Sequence, residues 1–120
     1  MPPRELPAYV RDVVDACTRI LAYAEGFDAD RFVRDQRTRD AVERQLLVVG
    51  EAVNNIRRVD RALADSLGPV DRIVAFRNIL VHGYFFVEPR TVWQIVEEHV
   101  PTLLEAARRA LGTFPPPEEP

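Results

Sequence analysis

Arg77, Asn78, His82 and Tyr84 fall within the eight-residue stretch Arg77-Asn78-Ile79-Leu80-Val81-His82-Gly83-Tyr84, at the end of an apolar helical pattern. An arginine can hold a phosphate through two parallel hydrogen bonds, and a histidine can move a proton near neutral pH. Together they are the minimum equipment for cleaving an RNA backbone without a metal. RNA supplies its own 2′-hydroxyl as nucleophile, so a protein need only move protons and stabilise charge on the phosphorus centre. On a regular helix, Arg77 and His82 stand five positions apart, about 140° around the axis, and cannot point along one line. Asn78 and His82, four apart, share a face. Fraying at Gly83 would free His82 to turn toward Arg77. Alternatively the two side chains flank a groove between helices or between subunits, where a two-fold axis would gather two arginines and two histidines around one phosphate.

Each residue also has a plainer reading. Arg77 can be a structural ion pair with Asp71 or Glu51. His82 can satisfy the last carbonyls of a helix, a common arrangement at a C-terminus. Glu51 is then either the carboxylate that holds the arginine or an ordinary charged residue of a long helix. His99 sits beside Glu97 and Glu98 and reads as solvated or locally paired. Two histidines without matching spacing give no zinc site. Arg31, Arg34, Arg37, Arg39 and Arg44 interleave with Asp30, Asp35, Asp40 and Glu43, the pattern of a solvated helical face, with an RNA phosphate track as the sharper alternative.

The whole chain sets bounds on these readings. Its 120 residues make one domain with a modest core. The composition is that of a soluble globular protein, and no apolar run approaches the roughly 18 residues of a membrane span. The N-terminus lacks the layout of a secretory signal, and a single cysteine, Cys17, excludes an internal disulfide and fits a reducing cytoplasm. Cys17 falls on an apolar stripe, as a small buried hydrophobe rather than a nucleophile. All 16 basic residues are arginine, so every cation is a planar, phosphate-compatible fork. The net charge of −3 argues against general nucleic-acid binding, so any RNA surface must be a local patch.

Helical periodicity dominates. Val10, Val13, Val14, Cys17, Ile20, Leu21 and Ala24 form one buried face, stopped at Gly26. Asp28 can cap a short helix through Arg34, with Phe32 and Val33 inward. A long helix over about 36–58 carries Val42, Leu46, Val49, Val53 and Ile56 at bundle spacing. Gly50 interrupts it, and close approach of a neighbouring helix would compensate the roughly 1 kcal/mol an interior glycine costs. Ala62, Leu63 and Leu67 suggest a short turn of helix before Gly68-Pro69. Val70, Ile73, Val74, Phe76 and Leu80 then restart a helix that ends at Gly83. Tyr84–Val87 reads as an extended connection. Glu88-Pro89 opens a last helix with Val92, Ile95, Val96, Val100, Leu103, Leu104, Ala107 and Leu111 inward, kinked or split near Val100 by Pro101. Trp93 belongs to core or dimer interface. The sum is an all-α bundle of four principal helices and one or two short ones, over residues 1–112, with a disordered tail at 113–120.

The motif Arg-Asn-x3-His-Gly-Tyr, preceded by Asp71-Arg72-Ile73-Val74-Ala75-Phe76, resembles the HEPN superfamily, and within it the HepT-like toxin branch. Residues 35–42, Val49-Gly50-Glu51-Ala52 and the Trp93 helix are similar to that branch too, so the likeness spans roughly residues 6–110. The segment 67–71 lacks a tryptophan found in many relatives, a difference of packing more than chemistry. The resemblance implies a homodimeric, metal-independent endoribonuclease, the toxin of a type VII-like toxin-antitoxin system, needing no cofactor. Arg77 and His82 would be catalytic, with Asn78, Tyr84 and Glu51 supporting them or binding RNA. It further implies a partner, a minimal nucleotidyltransferase antitoxin that adenylates the motif tyrosine, matching Tyr84. An adenylate there would add bulk and negative charge beside a phosphate site. The alternative is a non-catalytic subunit of the same fold that binds nucleotide or RNA, or docks the nucleotidyltransferase.

Overall fold

In the computed structural model, which describes residues 6–83 and 87–116, seven helices follow one another: α1 (Leu6–Ala24), α2 (Ala29–Arg34), α3 (Gln36–Val59), α4 (Arg61–Leu67), α5 (Val70–His82), α6 (Pro89–Glu98) and α7 (Val100–Leu111). No strand occurs among the described residues. Three aspartates set the early boundaries. The Asp28 carboxylate accepts the Arg31 N–H at 2.8 Å and starts α2. Asp35 closes α2 by donating its N–H to the Phe32 carbonyl at 3.2 Å, and opens α3 by accepting the Thr38 N–H at 3.0 Å. Asp60 does the same between α3 and α4, accepting from Leu63 at 3.0 Å. A short carboxylate can satisfy the orphan N–H groups of a first turn, so each junction needs one residue.

The split at Pro101 is observed. α6 ends at Glu98, His99 lies between the helices, and α7 begins at Val100. Proline lacks the N–H that would bond the carbonyl four residues back, and its ring crowds that carbonyl. Thr113 and Phe114 continue past α7 in a turn, with Phe114 packed on the core. Residues 117–120 of the tail, and Tyr84–Phe86 of the extended connection, lie outside the described residues.

The core has α1 and α3 at its centre, with α7 along α1 and α5 along α3. Val10, Val13, Cys17 and Ile20 face Val42, Val49, Val53 and Ile56 territory in one buried cluster. Burial pushes the Cys17 thiol up to about 12, which keeps it a neutral apolar filler. Phe32 is fully buried, and its ring meets Trp93 at 5.2 Å between centroids, so α2 and α6 are joined by an aromatic pair and by the Asp30–Arg90 ion pair. Trp93 therefore packs on the core side of its helix.

α5 crosses α3 at Gly50. A methyl group added there would overlap the Cβ of Arg77 and lie 2.7 Å from its Cγ. Only the missing side chain admits the stem of Arg77 so close to the α3 backbone, and this is the close approach that offsets the helix cost of glycine. At the other end of α5, Asp71 accepts from Arg57 at 3.3 Å and Arg61 at 3.2 Å, which ties the helix start to α3 and α4. Arg61 chiefly, then Arg57, holds the Asp71 carboxyl below the usual carboxylate range.

Gly50→Ala gains helix propensity but forces α3 and α5 apart. Overpacking should win, lowering stability by about 1–3 kcal/mol in denaturant unfolding. An unchanged or raised unfolding midpoint would contradict the tight crossing.

Candidate active site on helix α5

Of the described motif residues, Arg77, Asn78 and His82 occupy the last two turns of α5, and Gly83 caps it. Arg77 points toward α3. Its Nε donates to Glu51 Oε1 at 2.8 Å, and its Nη2 bonds the same oxygen in an ion pair. Its Nη1 donates to the Asn78 side-chain oxygen at 2.8 Å. The side chain is 23% exposed and that of Glu51 45%, so the pair lies at the edge of the bundle. A guanidinium has five N–H donors; three are engaged here, which leaves one on each Nη atom.

Of the two ion-pair partners open to Arg77 in the sequence, the structure selects Glu51. Asp71 serves Arg57 and Arg61 instead. The bond from Arg77 to Asn78 was not legible in helical spacing, because neighbours at i and i+1 do not face each other. The length of the arginine side chain lets it reach the amide of the next residue all the same. Asn78 is thus a clamp on Arg77, beyond sharing a helix face with His82.

His82 is the last residue of α5 and is exposed. The helix does not fray before it. Gly83 adopts φ +62°, and its N–H donates to the Ile79 carbonyl at 3.1 Å, a left-handed cap that holds the final turn in place. Helical geometry therefore keeps His82 about 140° around the axis from Arg77 within one chain. On the exposed side of α5 lie Ala75, Asn78, Ile79 and His82, with Val81 next to them. Ile79 and Val81 are large apolar side chains left 36% and 45% exposed, on a helix that packs against α3 and α4. Tyr84 lies outside the described residues.

Other candidates resolve into local structure. Arg31 stacks over the Phe27 ring at 4.1 Å and serves the α1–α2 corner, while Arg39 donates to the Val33 carbonyl at the end of α2 and serves the α2–α3 corner. His99 is exposed between α6 and α7, its N–H bonded to the Ile95 carbonyl at 2.9 Å. Among the described residues, no three His, Cys, Asp or Glu side chains converge as a metal set, and no helix is long and apolar enough to cross a membrane.

Comparison with known proteins gives this geometry a family. Residues 13–110 match the family model described as "Ribonuclease HepT-like". The chain is 30% identical to "Putative RNase MJ1380" of Methanocaldococcus jannaschii, over 86% of this chain and 94% of that protein. It is 32% identical to "Probable ribonuclease HepT" of Thermococcus cleftensis, over 79% of this chain and 86% of that protein. No solved structure matches it. A bundle with Arg77 seated on Gly50, clamped by Glu51 and Asn78, and followed by His82 at a glycine cap belongs to the HepT-like ribonuclease family.

Proposed function

We propose that this chain is a metal-independent endoribonuclease that works as a homodimer and serves as the toxin of a toxin-antitoxin pair. The observation that carries the reading is the pre-set Arg77. Its guanidinium is oriented by Glu51 and Asn78 before any ligand arrives, and two of its N–H groups remain to meet a phosphate. Family membership supports RNA as the substrate.

The exposed side of α5 supports the dimer. Within one chain Arg77 and His82 diverge, whereas a two-fold axis along this helix gives each phosphate a histidine from either copy. Ile79 and Val81 supply apolar surface for that contact. In the reaction, one imidazole takes the proton of the 2′-hydroxyl as that oxygen bonds to phosphorus. The bond from phosphorus to the 5′-oxygen breaks, and an imidazolium returns a proton to the leaving oxygen. Arg77 stabilises the charge that gathers on the non-bridging oxygens. Glu51 and Asn78 hold Arg77 in register.

Control falls to Tyr84. A nucleotidyltransferase antitoxin moves adenylate from ATP to the tyrosine hydroxyl and releases pyrophosphate. The new phosphate then competes with RNA for Arg77 and repels the RNA backbone.

On a single-stranded RNA in EDTA, wild-type protein should cut, His82→Ala should lose about 10²–10⁴-fold in rate, and Arg77→Ala about 10²–10³-fold. Both variants should keep the helical circular-dichroism spectrum. Cutting by both at the wild-type rate would remove the site assignment, and RNA binding without turnover, insensitive to His82, would favour the non-catalytic alternative. With the cognate nucleotidyltransferase and ATP, intact mass should rise by whole AMP increments in wild type and not in Tyr84→Phe. A rise that persists in Tyr84→Phe would place the modification elsewhere.

A further inference from the structure

Beside the last turn of α5 lies a groove that the phosphate chemistry does not use. Its volume is about 560 Å³, within the range of small-molecule sites, and it opens between α2, the first two turns of α3, the end of α5 and the start of α6. The apolar lining includes the buried Phe32 and Val92, with Ile79 on the α5 side. Gly83, the residue after His82, also lines it.

The polar lining comes from one stripe of α3, Gln36, Asp40 and Glu43, at helical spacing. Arg39 also lines the groove, but its guanidinium donates to the Val33 carbonyl. Among the described residues, no donor is hydrogen-bonded to the carboxylate of Asp40 or Glu43. Burial first, and then the Asp40 charge, pushes the Glu43 carboxyl above its ordinary value, with the Arg39 charge offsetting part of the rise. The groove thus combines an apolar lining with two carboxylates that, among the described residues, accept no hydrogen bond. A phosphate is the wrong ligand for it, since two carboxylates would repel one. A planar ring bearing adjacent N–H groups is the right one.

Among the bases of RNA, guanine presents two neighbouring donors on one edge, N1–H and the N2 amino group, which a single carboxylate can accept together. Adenine and cytosine offer an amino group beside an acceptor, and uracil an N–H between two carbonyls. Position agrees with this chemistry. The groove adjoins His82: Ile79, which lines it, is the helix-surface neighbour of His82 three residues earlier, and Gly83 follows directly. One or two nucleotides join the two.

We propose that the groove is a base subsite that selects guanine in the nucleotide flanking the scissile phosphate, with Glu43 accepting from N1–H and N2–H, Asp40 and Gln36 bordering the ring, and the exposed Ile79 against its edge. The proposal rests on the ribonuclease reading for its role and on the groove alone for its ligand. It makes the motif end a junction, with phosphate chemistry at His82 and base recognition in the adjoining groove.

The test uses short DNA oligonucleotides carrying one ribonucleotide, identical except that the adjoining base is guanine, inosine, adenine, cytosine or uracil. Inosine keeps N1–H and lacks the N2 amino group. Fluorescence anisotropy measures binding to the full-length His82→Ala protein, with and without Glu43→Gln or Asp40→Asn, while cleavage by otherwise wild-type protein is followed on the same set. Binding to the guanine oligonucleotide should be about tenfold tighter than to the inosine one, a modest value for one bidentate contact, and Glu43→Gln should bring that ratio toward one. Binding that is equal for all bases, or a guanine preference untouched by Glu43→Gln and Asp40→Asn, overturns the subsite. Base-selective binding lost in Glu43→Gln, without cleavage of any oligonucleotide by wild type, upholds the subsite and removes the ribonuclease reading alone.

Discussion

The crossing of α5 over α3 at Gly50 is the constraint on which the site depends. A hydrogen in place of a side chain lets the stem of Arg77 rest on the α3 backbone, and the next residue along, Glu51, then meets the guanidinium. Sequence adjacency on α3 has become a division of labour, with one residue admitting the arginine and its neighbour aiming it. An arginine on an open helix face keeps substantial rotamer freedom until something fixes it. Here much of that ordering is already done by folding, at the cost of glycine in the middle of a long helix.

Once that crossing is set, the faces of α5 acquire separate tasks. Val70, Val74 and Arg77 turn to the bundle, Asn78 and His82 turn to solvent, and Ile79 and Gly83 border the groove beside α2 and α3. The helix can serve all three only because its length is fixed at both ends. Asp71 anchors its first turn to Arg57 and Arg61, and the left-handed Gly83 ends it directly after His82. A helix one residue longer or shorter would rotate the terminal imidazole by about 100°. The partly exposed Arg77–Glu51 pair contributes little to stability as an ion pair. Its value lies in orientation.

Much of the fold was legible in the chain because one-dimensional signals decide it. The apolar stripes of α1, α3 and α7 follow the helical period, and their members are the buried or half-buried residues. Pro101 split the last helix for a covalent reason that no tertiary context can remove. Gly50 was visible as an anomaly that only a close neighbour would justify. The double use of Asp35 and Asp60 was harder to see, since each must end one helix and begin another within a single residue. The partner of Arg77 was open for a different reason. Asp71 lies six residues before it and Glu51 twenty-six, and sequence distance carries no information about which carboxylate a folded bundle delivers.

By itself, then, the sequence determined which residue types could do chemistry, which helix they share, and the family resemblance carried by their order. Those properties are local, set by covalent spacing and helical period. Only the tertiary structure decided that Arg77 is held by Glu51 and Asn78 while Asp71 is held by Arg57 and Arg61, and that Gly50 is the seat on which the arginine rests. It also decided that two carboxylates of α3 border a groove beside the end of α5. Those choices depend on how deeply and at what register two helices pack, which is fixed by the shapes of side chains distant in sequence.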